Sequence, residues 1–301
     1  MNENTLKQKK KLGISVGLLI ILSNVAGILI SLLLNKLNVQ TEQNKYLVTY
    51  IVNAISIYVI AFTVFKLILK KVERVENNEK KKLKFWEFVL FVCITIGGTQ
   101  FVNLIFQMFL MIVRAVFHIE INNNVAELLQ NSNPVISLIF AVILAPVFEE
   151  LIFRGTLLKR LRVYGDKTAI LYTAIMFGLF HCNIEQLPYT IACGLILGYA
   201  YTKTNNIVYP ITFHIIMNGF SVLLSTFLMY EMTMAMLVQE LVLIILIVLS
   251  LVFVPILLTS GKVKITNDNA VYEKKNLYKN VGFIFTAVIS AVFTIIAMIK
   301  F

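Results

Sequence analysis

Nine stretches of this chain are nearly free of charged residues and approach or reach the length of a membrane span. They cover residues 13–34, 46–69, 86–113, 134–158, 168–182, 187–202, 207–230, 236–258 and 281–299. A spanning helix needs about 20 apolar residues, and the bilayer interior admits only helices or closed barrels. Only 14% of the residues are charged, compared with about a quarter in soluble domains. We therefore expect an all-α, polytopic membrane helical bundle of about eight or nine transmembrane helices.

The segments that connect these runs alternate in basic charge. Of the 27 Lys and Arg residues, 21 lie in the N-terminal tail and in segments 70–84, 159–167, 203–206 and 259–280. Because basic residues favour the cytoplasmic side of a membrane, this alternation predicts a cytoplasmic N-terminus. The fifth and sixth runs are short, and they predict either two full spans or a hairpin of short helices sheltered by neighbouring helices. The orientation is the same in both cases.

The net charge of +11 does not indicate a nucleic-acid partner, because the basic residues form short blocks between apolar runs. The lipid bilayer is the partner that the composition requires. Cys93, Cys182 and Cys193 lie inside or beside apolar runs and have no paired spacing, so we expect packing roles rather than disulfides or a zinc site. The sequence does not indicate an oligomeric state.

Three runs in the second half carry polar residues that interrupt the apolar pattern. These residues are Glu149, Glu150 and Arg154 in the fourth run, His181 in the fifth, and His214 and Asn218 in the seventh. A charged group inside the bilayer is costly, so it is kept only with a partner or a use. Glu150 and Arg154 have the spacing of a helical ion pair, which leaves Glu149 available as a general base. A structural ion pair and interhelical hydrogen bonds are the alternative interpretation.

The same residues lie at similar depths in the predicted membrane. Counted from the cytoplasmic ends of their helices at 1.5 Å per residue, Glu149 lies roughly 15 to 21 Å deep, His181 roughly 21 Å and His214 roughly 12 Å. Independent structural pairs need not share a depth. The shared band therefore favours a single site, which we expect to be reached from the cytoplasmic side.

Three kinds of chemistry are compatible with this set of residues. In hydrolysis, Glu149 takes a proton from water beside His181, while His214 and Asn218 donate to the developing oxyanion. In a metal site, Glu149, His181 and His214 bind a divalent ion such as zinc, although no HExxH motif is present. In a proton-coupled transporter the same groups form a relay, but the internal repeat of many transporters is not visible.

Three short motifs occur in order on successive apolar runs. They are E-E-x-x-x-R-G from Glu149 to Gly155, F-x-x-x-H from Phe177 to His181, and H-x-x-x-N from His214 to Asn218. Together they resemble the motifs of the CAAX protease and bacteriocin-processing family of intramembrane proteases, also called the Abi family. The resemblance covers about residues 134–220. It implies an endopeptidase, whose eukaryotic relatives cleave the C-terminal tripeptide from prenylated proteins.

The resemblance also assigns roles to the polar residues. It implies that Glu149 activates water beside His181, that His214 and Asn218 form the oxyanion site, and that Glu150 and Arg154 support them. We predict no cofactor, because the glutamate mechanism needs no metal, and we keep zinc as the alternative. Some bacterial members are linked to bacteriocin immunity or surface-protein display, so a non-catalytic scaffold of the same fold is the alternative function.

The chain is expected to divide into three parts. Residues 1–133 hold three transmembrane helices and an exposed outer loop at 114–133, residues 134–230 form the catalytic core, and residues 231–301 hold the C-terminal transmembrane helices. A composition rich in Lys, Asn and Ile suggests a bacterium and therefore a multi-pass protein of the plasma membrane. The expected substrate is a small peptide or a membrane-protein tail rather than a prenylated protein.

Overall fold

A computed structural model describes residues 3–41, 43–75, 79–118, 123–261, 263, 265–274 and 277–298. These residues form helices and connecting segments, without a strand in any of the ranges given. The helices are α1 (Glu3–Lys36), α2 (Lys45–Leu69), α3 (Phe85–Phe117), α4 (Asn124–Asn131), α5 (Pro134–Tyr164), α6 (Asp166–Phe180), α7 (Leu187–Thr204), α8 (Val208–Met229), α9 (Thr233–Thr259) and α10 (Val281–Met298).

Seven of these helices are long and apolar enough to cross a membrane, namely α1, α2, α3, α5, α8, α9 and α10. The remaining two predicted runs form α6, with 15 residues, and α7, with 18 residues. Each apolar run of the sequence thus coincides with one helix. The prediction of an all-α, polytopic membrane bundle is confirmed, while the cytoplasmic placement of the N-terminus stays a prediction.

The short helices α6 and α7 form an antiparallel pair inside the bundle. Small residues let them approach closely, since a Cβ atom at Gly194 would lie 2.8 Å from the Cα atom of Ala174. Most of α6 is buried, including Tyr172 and Phe177. Because neighbouring helices cover much of this pair, its polar ends do not have to face hydrocarbon. The arrangement agrees with the hairpin of short helices that the two short runs allow.

The helix α5 is irregular on both sides of its two adjacent glutamates. Glu149 and Glu150 lie on a short α-helical stretch between two π-helical segments, Leu138–Leu144 and Phe153–Leu158. Pro146 lies in the first turn of that stretch and has no N–H to donate to the preceding turn. Single π-helical turns inside α-helices are found frequently at functional sites, because they change the direction of the side chains that follow.

The exposed outer loop predicted at 114–133 is partly wrong. Residues 119–122 lie outside the described residues, but the next residues form α4, whose N-cap Asn123 accepts a hydrogen bond from the backbone of Ala126. The Asn-rich sequence suggested a loop because Asn favours turns. The same residue type is also a preferred helix N-cap, and the apolar residues after Asn123 give the helix a face to bury.

The first and last helices pack against each other. A Cβ atom at Gly13 in α1 would lie 2.4 Å from the carbonyl carbon of Gly282 in α10. The hydroxyl of Thr286 donates a 2.7 Å hydrogen bond to the backbone oxygen of Gly13. Helix α10 also reaches α6, because Ser290 donates to the backbone oxygen of Leu179 at 2.6 Å. The division into 1–133, 134–230 and 231–301 stays a prediction.

Candidate active site

Glu150, Arg154 and His214 form a buried polar network between α5 and α8. The Glu150 and Arg154 side chains are fully buried, and His214 is 3% exposed. Arg154 Nη1 donates to Glu150 Oε1 at 2.8 Å, and His214 Nδ1 lies 3.0 Å from the same oxygen. The guanidinium also donates to the backbone oxygen of Gly194 at 3.1 Å and lies 4.7 Å from the ring centre of Phe177. The predicted pairing of Glu150 with Arg154 is therefore present.

Glu149 points away from this ion pair and towards the two histidines. Its Oε2 atom lies 4.0 Å from Nε2 of His181 and 3.8 Å from Nε2 of His214. Adjacent residues on a helix point about 100° apart, which is why Glu149 and Glu150 have different surroundings. The structure brings together Glu149, His181 and His214, as the site prediction requires.

The hydrogen bonds of the histidines determine which ring atoms face Glu149. His181 Nδ1 lies 2.7 Å from the backbone oxygen of Phe177, and His214 Nδ1 lies 3.0 Å from Glu150. A carbonyl oxygen and a carboxylate only accept hydrogen bonds, so each Nδ1 carries a proton. In the neutral ring, Nε2 then presents a lone pair to Glu149. A water molecule that donates one hydrogen to Glu149 and the other to His181 fits two acceptors 4.0 Å apart.

Asn218 lies beside these groups and is held by the backbone of α5. Its Nδ2 atom donates a 2.9 Å hydrogen bond to the backbone oxygen of Ala141. An amide nitrogen has two hydrogens, so one of them is left for a second acceptor. Ala141 belongs to the π-helical segment Leu138–Leu144, which shows how the irregular turn of α5 contributes to the site.

A cavity of about 430 Å³ adjoins Glu149, His181, His214 and Asn218. Its walls come from α2, α3, α4, α5, α6, α7 and α8 and from the turn between α6 and α7. The volume is within the range of small-ligand pockets, about 300 to 1,000 Å³. The catalytic candidates therefore face a space that can hold part of a substrate, whereas Glu150 and Arg154 are buried behind them.

The three side chains named for a metal have suitable donor atoms but a wide separation. Two imidazole Nε2 atoms and a carboxylate are common zinc ligands, and each Nδ1–H already has an acceptor, as metal-bound histidines usually do. Two ligands at about 2.1 Å around a tetrahedral ion lie about 3.4 Å apart, which is less than the observed 3.8 and 4.0 Å. Within the described ranges, no three His, Cys, Asp or Glu side chains are placed to hold an ion. The present geometry therefore does not fit a bound zinc ion.

Comparison with known proteins identifies the segment that contains the site. Residues 131–220 match the model of the Rce1-like family, type II CAAX prenyl endopeptidases. The chain is 30% identical over 92 residues to YdiL of Bacillus subtilis (strain 168), named as a candidate membrane peptidase. Residues 131–220 are thus similar to the CAAX protease family, and we call them the CAAX protease segment.

A second relative of this CAAX protease segment is MroQ of Staphylococcus aureus (strain USA300), a membrane-embedded CAAX protease that is 28% identical over 95 residues. The two alignments each cover 29% of this chain, and 36% and 38% of the relatives' own lengths. The chain thus matches less than two fifths of either relative. No solved structure matches this chain. The resemblance that the three motifs indicate is confirmed, and all six predicted site residues lie inside the matched segment.

The cavity of the CAAX protease segment opens at one end of the bundle. Its lining includes Asn123 and Val125 from 114–133, together with Glu185 and Gln186 from the turn between α6 and α7. None of the described lining residues comes from the basic segments that the charge pattern places in the cytoplasm. The cavity therefore extends towards the end of the bundle opposite the basic segments, while the expectation that the site is reached from the cytoplasmic side stays a prediction.

An ion pair at this open end was not predicted. Arg114 in α3 donates to Glu185, and Asn123 at the start of α4 donates to the other oxygen of the same carboxylate. The Glu185 side chain is only 7% exposed. Because Arg114 and Glu185 are 71 residues apart, no local spacing could reveal their contact. An acidic residue beside the apolar run of α7 was the only signal in the sequence.

Proposed function

We propose that this protein is an intramembrane endopeptidase that hydrolyses a peptide bond of a small peptide or a membrane-protein segment. The observation that carries the proposal is the position of Glu149, whose carboxylate faces Nε2 of both His181 and His214 at the edge of the cavity. The family and the relative that this chain resembles are named as endopeptidase and protease, which supports the same class of reaction.

In the proposed reaction, a water molecule lies between Glu149 and His181. Glu149 takes one proton as the water oxygen bonds to the carbonyl carbon of the scissile peptide. The resulting oxyanion accepts a hydrogen bond from the free hydrogen of Asn218 Nδ2. Glu149 then gives its proton to the leaving nitrogen as the carbon–nitrogen bond breaks, so the products are a carboxylic acid and an amine, and the acid then loses its proton to solvent.

His214 takes part in this scheme only in a particular protonation state. Its Nδ1 proton is directed at Glu150, so it donates to the oxyanion through Nε2 only as an imidazolium. Arg154 holds the Glu150 carboxylate in place through a 2.8 Å contact. Glu150 and Arg154 therefore act as positioning residues, because they orient the His214 ring without touching the substrate.

The proposed test is peptide hydrolysis by the purified full-length protein in detergent. Glu149→Gln keeps the shape of the side chain but removes the base, and we expect a rate loss of about 10²- to 10⁴-fold. The matched control is Glu240→Gln, which changes an exposed glutamate of α9 and is expected to leave the rate unchanged. Full activity of Glu149→Gln at normal expression would exclude this reaction and favour a scaffold.

A chelator separates the metal-free reaction from the zinc alternative. We propose the metal-free reaction, because the site residues supply the base and the oxyanion donors themselves. The rate should then be unchanged after treatment with 1,10-phenanthroline, and the purified protein should contain zinc well below one ion per chain. Stoichiometric zinc, with activity lost on chelation and restored by added zinc, would overturn this part of the proposal.

A further inference from the structure

Three carboxamide side chains form a stripe along one face of α3. Gln100, Asn103 and Gln107 are spaced by three and four residues, which places them on the same side of the helix, and all three line the cavity. Their neighbours Leu104 and Met108 are 51% and 53% exposed on the outside of the bundle. The polar face of α3 is therefore turned towards the cavity, and the apolar face towards lipid.

The stripe begins at the level of the catalytic groups. Thr99, which precedes Gln100, contacts the sulfur of Met217 at 3.6 Å, and Met217 lies next to Asn218. From Gln100 to Gln107 the helix rises about 10.5 Å at 1.5 Å per residue. An extended peptide covers about 3.3 Å per residue. The stripe thus matches about three residues of an extended chain that leads from the catalytic groups towards the open end of the cavity.

The three carboxamides do not satisfy all of one another's hydrogen-bond donors and acceptors. Asn103 Nδ2 donates to Gln100 Oε1 at 3.2 Å, but the buried Asn103 Oδ1 has no hydrogen-bond partner among the described residues. A buried acceptor without a partner is unfavourable, so a ligand that donates a hydrogen bond there would be stabilised. A peptide backbone offers N–H donors and C=O acceptors at regular intervals. A prenyl chain offers neither and would bury these amides against hydrocarbon.

We propose that Gln100, Asn103 and Gln107 are substrate-positioning residues that bind the main chain of an extended, unlipidated peptide beside the scissile bond. The proposal rests on the endopeptidase function proposed above and specifies its substrate class. It also gives the residues before the CAAX protease segment a direct part in substrate binding. The stripe carries no charge, so it recognises the backbone of the substrate rather than a charged side chain.

Binding is measured on Glu149→Gln protein, so that hydrolysis does not enter the result. The probe is the tightest-binding member of a library of fluorescein-labelled octapeptides, followed by fluorescence anisotropy in detergent micelles. In this background, Asn103→Leu and Gln107→Met should each raise the Kd about 5- to 10-fold, the range of one lost hydrogen bond. The control Met108→Leu, on the lipid-facing side of α3, should leave the Kd unchanged.

Two further measurements keep the proposal testable if a variant folds poorly. Methylation of one backbone nitrogen of the octapeptide at a time needs no protein variant, and it should weaken binding at positions beside the scissile bond. The same methylation should weaken binding to the Asn103→Leu variant little further. In the catalytically active protein, the Asn103→Leu change should raise KM while kcat stays nearly constant, and Asn103→Gln should restore part of the KM.

The proposal is overturned if the stripe variants bind the unmodified peptide as tightly as their parent. It is also overturned if a farnesylated form of the same peptide binds with a lower Kd and occupies the cavity. If the peptide is cleaved but the stripe variants bind it with an unchanged Kd, the endopeptidase function stands and only the proposed role of the stripe is refuted. If the stripe variants bind more weakly as expected but the wild-type chain cleaves no peptide, the binding role of the stripe stands and the endopeptidase function is refuted.

Discussion

Removal of Arg154 should destabilise the protein strongly, because it leaves a buried carboxylate without its main partner. Arg154 and Glu150 are both fully buried and 2.8 Å apart. Breaking a buried ion pair by removing one partner costs about 3 to 5 kcal/mol. Methionine has a similar length and no charge, so we expect Arg154→Met to lower the free energy of unfolding by this amount. The lost hydrogen bond to Gly194 is part of the same cost.

A second substitution tests whether the cost arises from the unpaired charge. Glu150→Gln removes the charge but keeps an oxygen that accepts the Nδ1–H of His214. We expect the double variant Glu150→Gln/Arg154→Met to recover about 1 to 3 kcal/mol relative to Arg154→Met alone, because contacting residues couple by such amounts. The recovery is favoured further by the network's incomplete hydrogen bonding, since Glu150 Oε2 and Arg154 Nε have no partner among the described residues.

Arg160 provides the matched control for this prediction. It is also a buried arginine of α5, but it donates to the backbone oxygens of Leu69 and Thr156 instead of a carboxylate. Arg160→Met should therefore destabilise the protein without coupling to Glu150→Gln, within about 0.5 kcal/mol. Unfolding is followed by circular dichroism as the SDS fraction of mixed micelles rises. The reasoning would be refuted if Arg154→Met and Arg160→Met had equal coupling free energies with Glu150→Gln, or if Arg154→Met had none.

Two further outcomes follow from the helix packing and the charge pattern. Gly194→Ala should destabilise the protein by about 1 to 3 kcal/mol, since its Cβ would lie 2.8 Å from the Cα of Ala174. Gly219→Ala, whose Cβ meets only a side chain at 3.6 Å, should be neutral or slightly stabilising in thermal unfolding. In chains without native cysteines, an impermeant maleimide applied to intact cells should label Asn131→Cys and leave Lys81→Cys unlabelled until the cells are opened. The opposite labelling would invert the topology derived from the basic residues.

The helices could be predicted closely because lipid makes the hydropathy pattern decisive. The run at 187–202 became Leu187–Thr204, and the run at 281–299 became Val281–Met298. In a bilayer, an apolar stretch has few alternatives to a helix, so composition alone determines the element. The pairing of Glu150 with Arg154 was predictable for a similar reason, since their spacing on one helix fixes their proximity.

The surroundings of the site depend on contacts that no local pattern records. The turn that holds Glu185 meets Arg114 and Asn123 only because α3, α4 and α7 converge at one end of the bundle. The direction in which the cavity extends depends on the same kind of contacts. Depth along each helix was estimated well enough to place Glu149 and His181 together, but depth does not show which end of the bundle is open.

The stripe on α3 was not predicted for a different reason. Its helical spacing is visible in the sequence. Gln100, Asn103 and Gln107 repeat at helical intervals, yet the sequence interpretation gave weight mainly to ionisable groups and to Asn218 beside them. That emphasis follows from energy, since a charge in the bilayer needs a special explanation and a neutral amide costs less. Hydrolysis of a peptide, however, needs more than a base and an oxyanion donor, because the scissile bond must be held in line with both. Neutral hydrogen-bonding groups suit that task, since they bind a backbone of any sequence and leave selectivity to the apolar walls of the cavity.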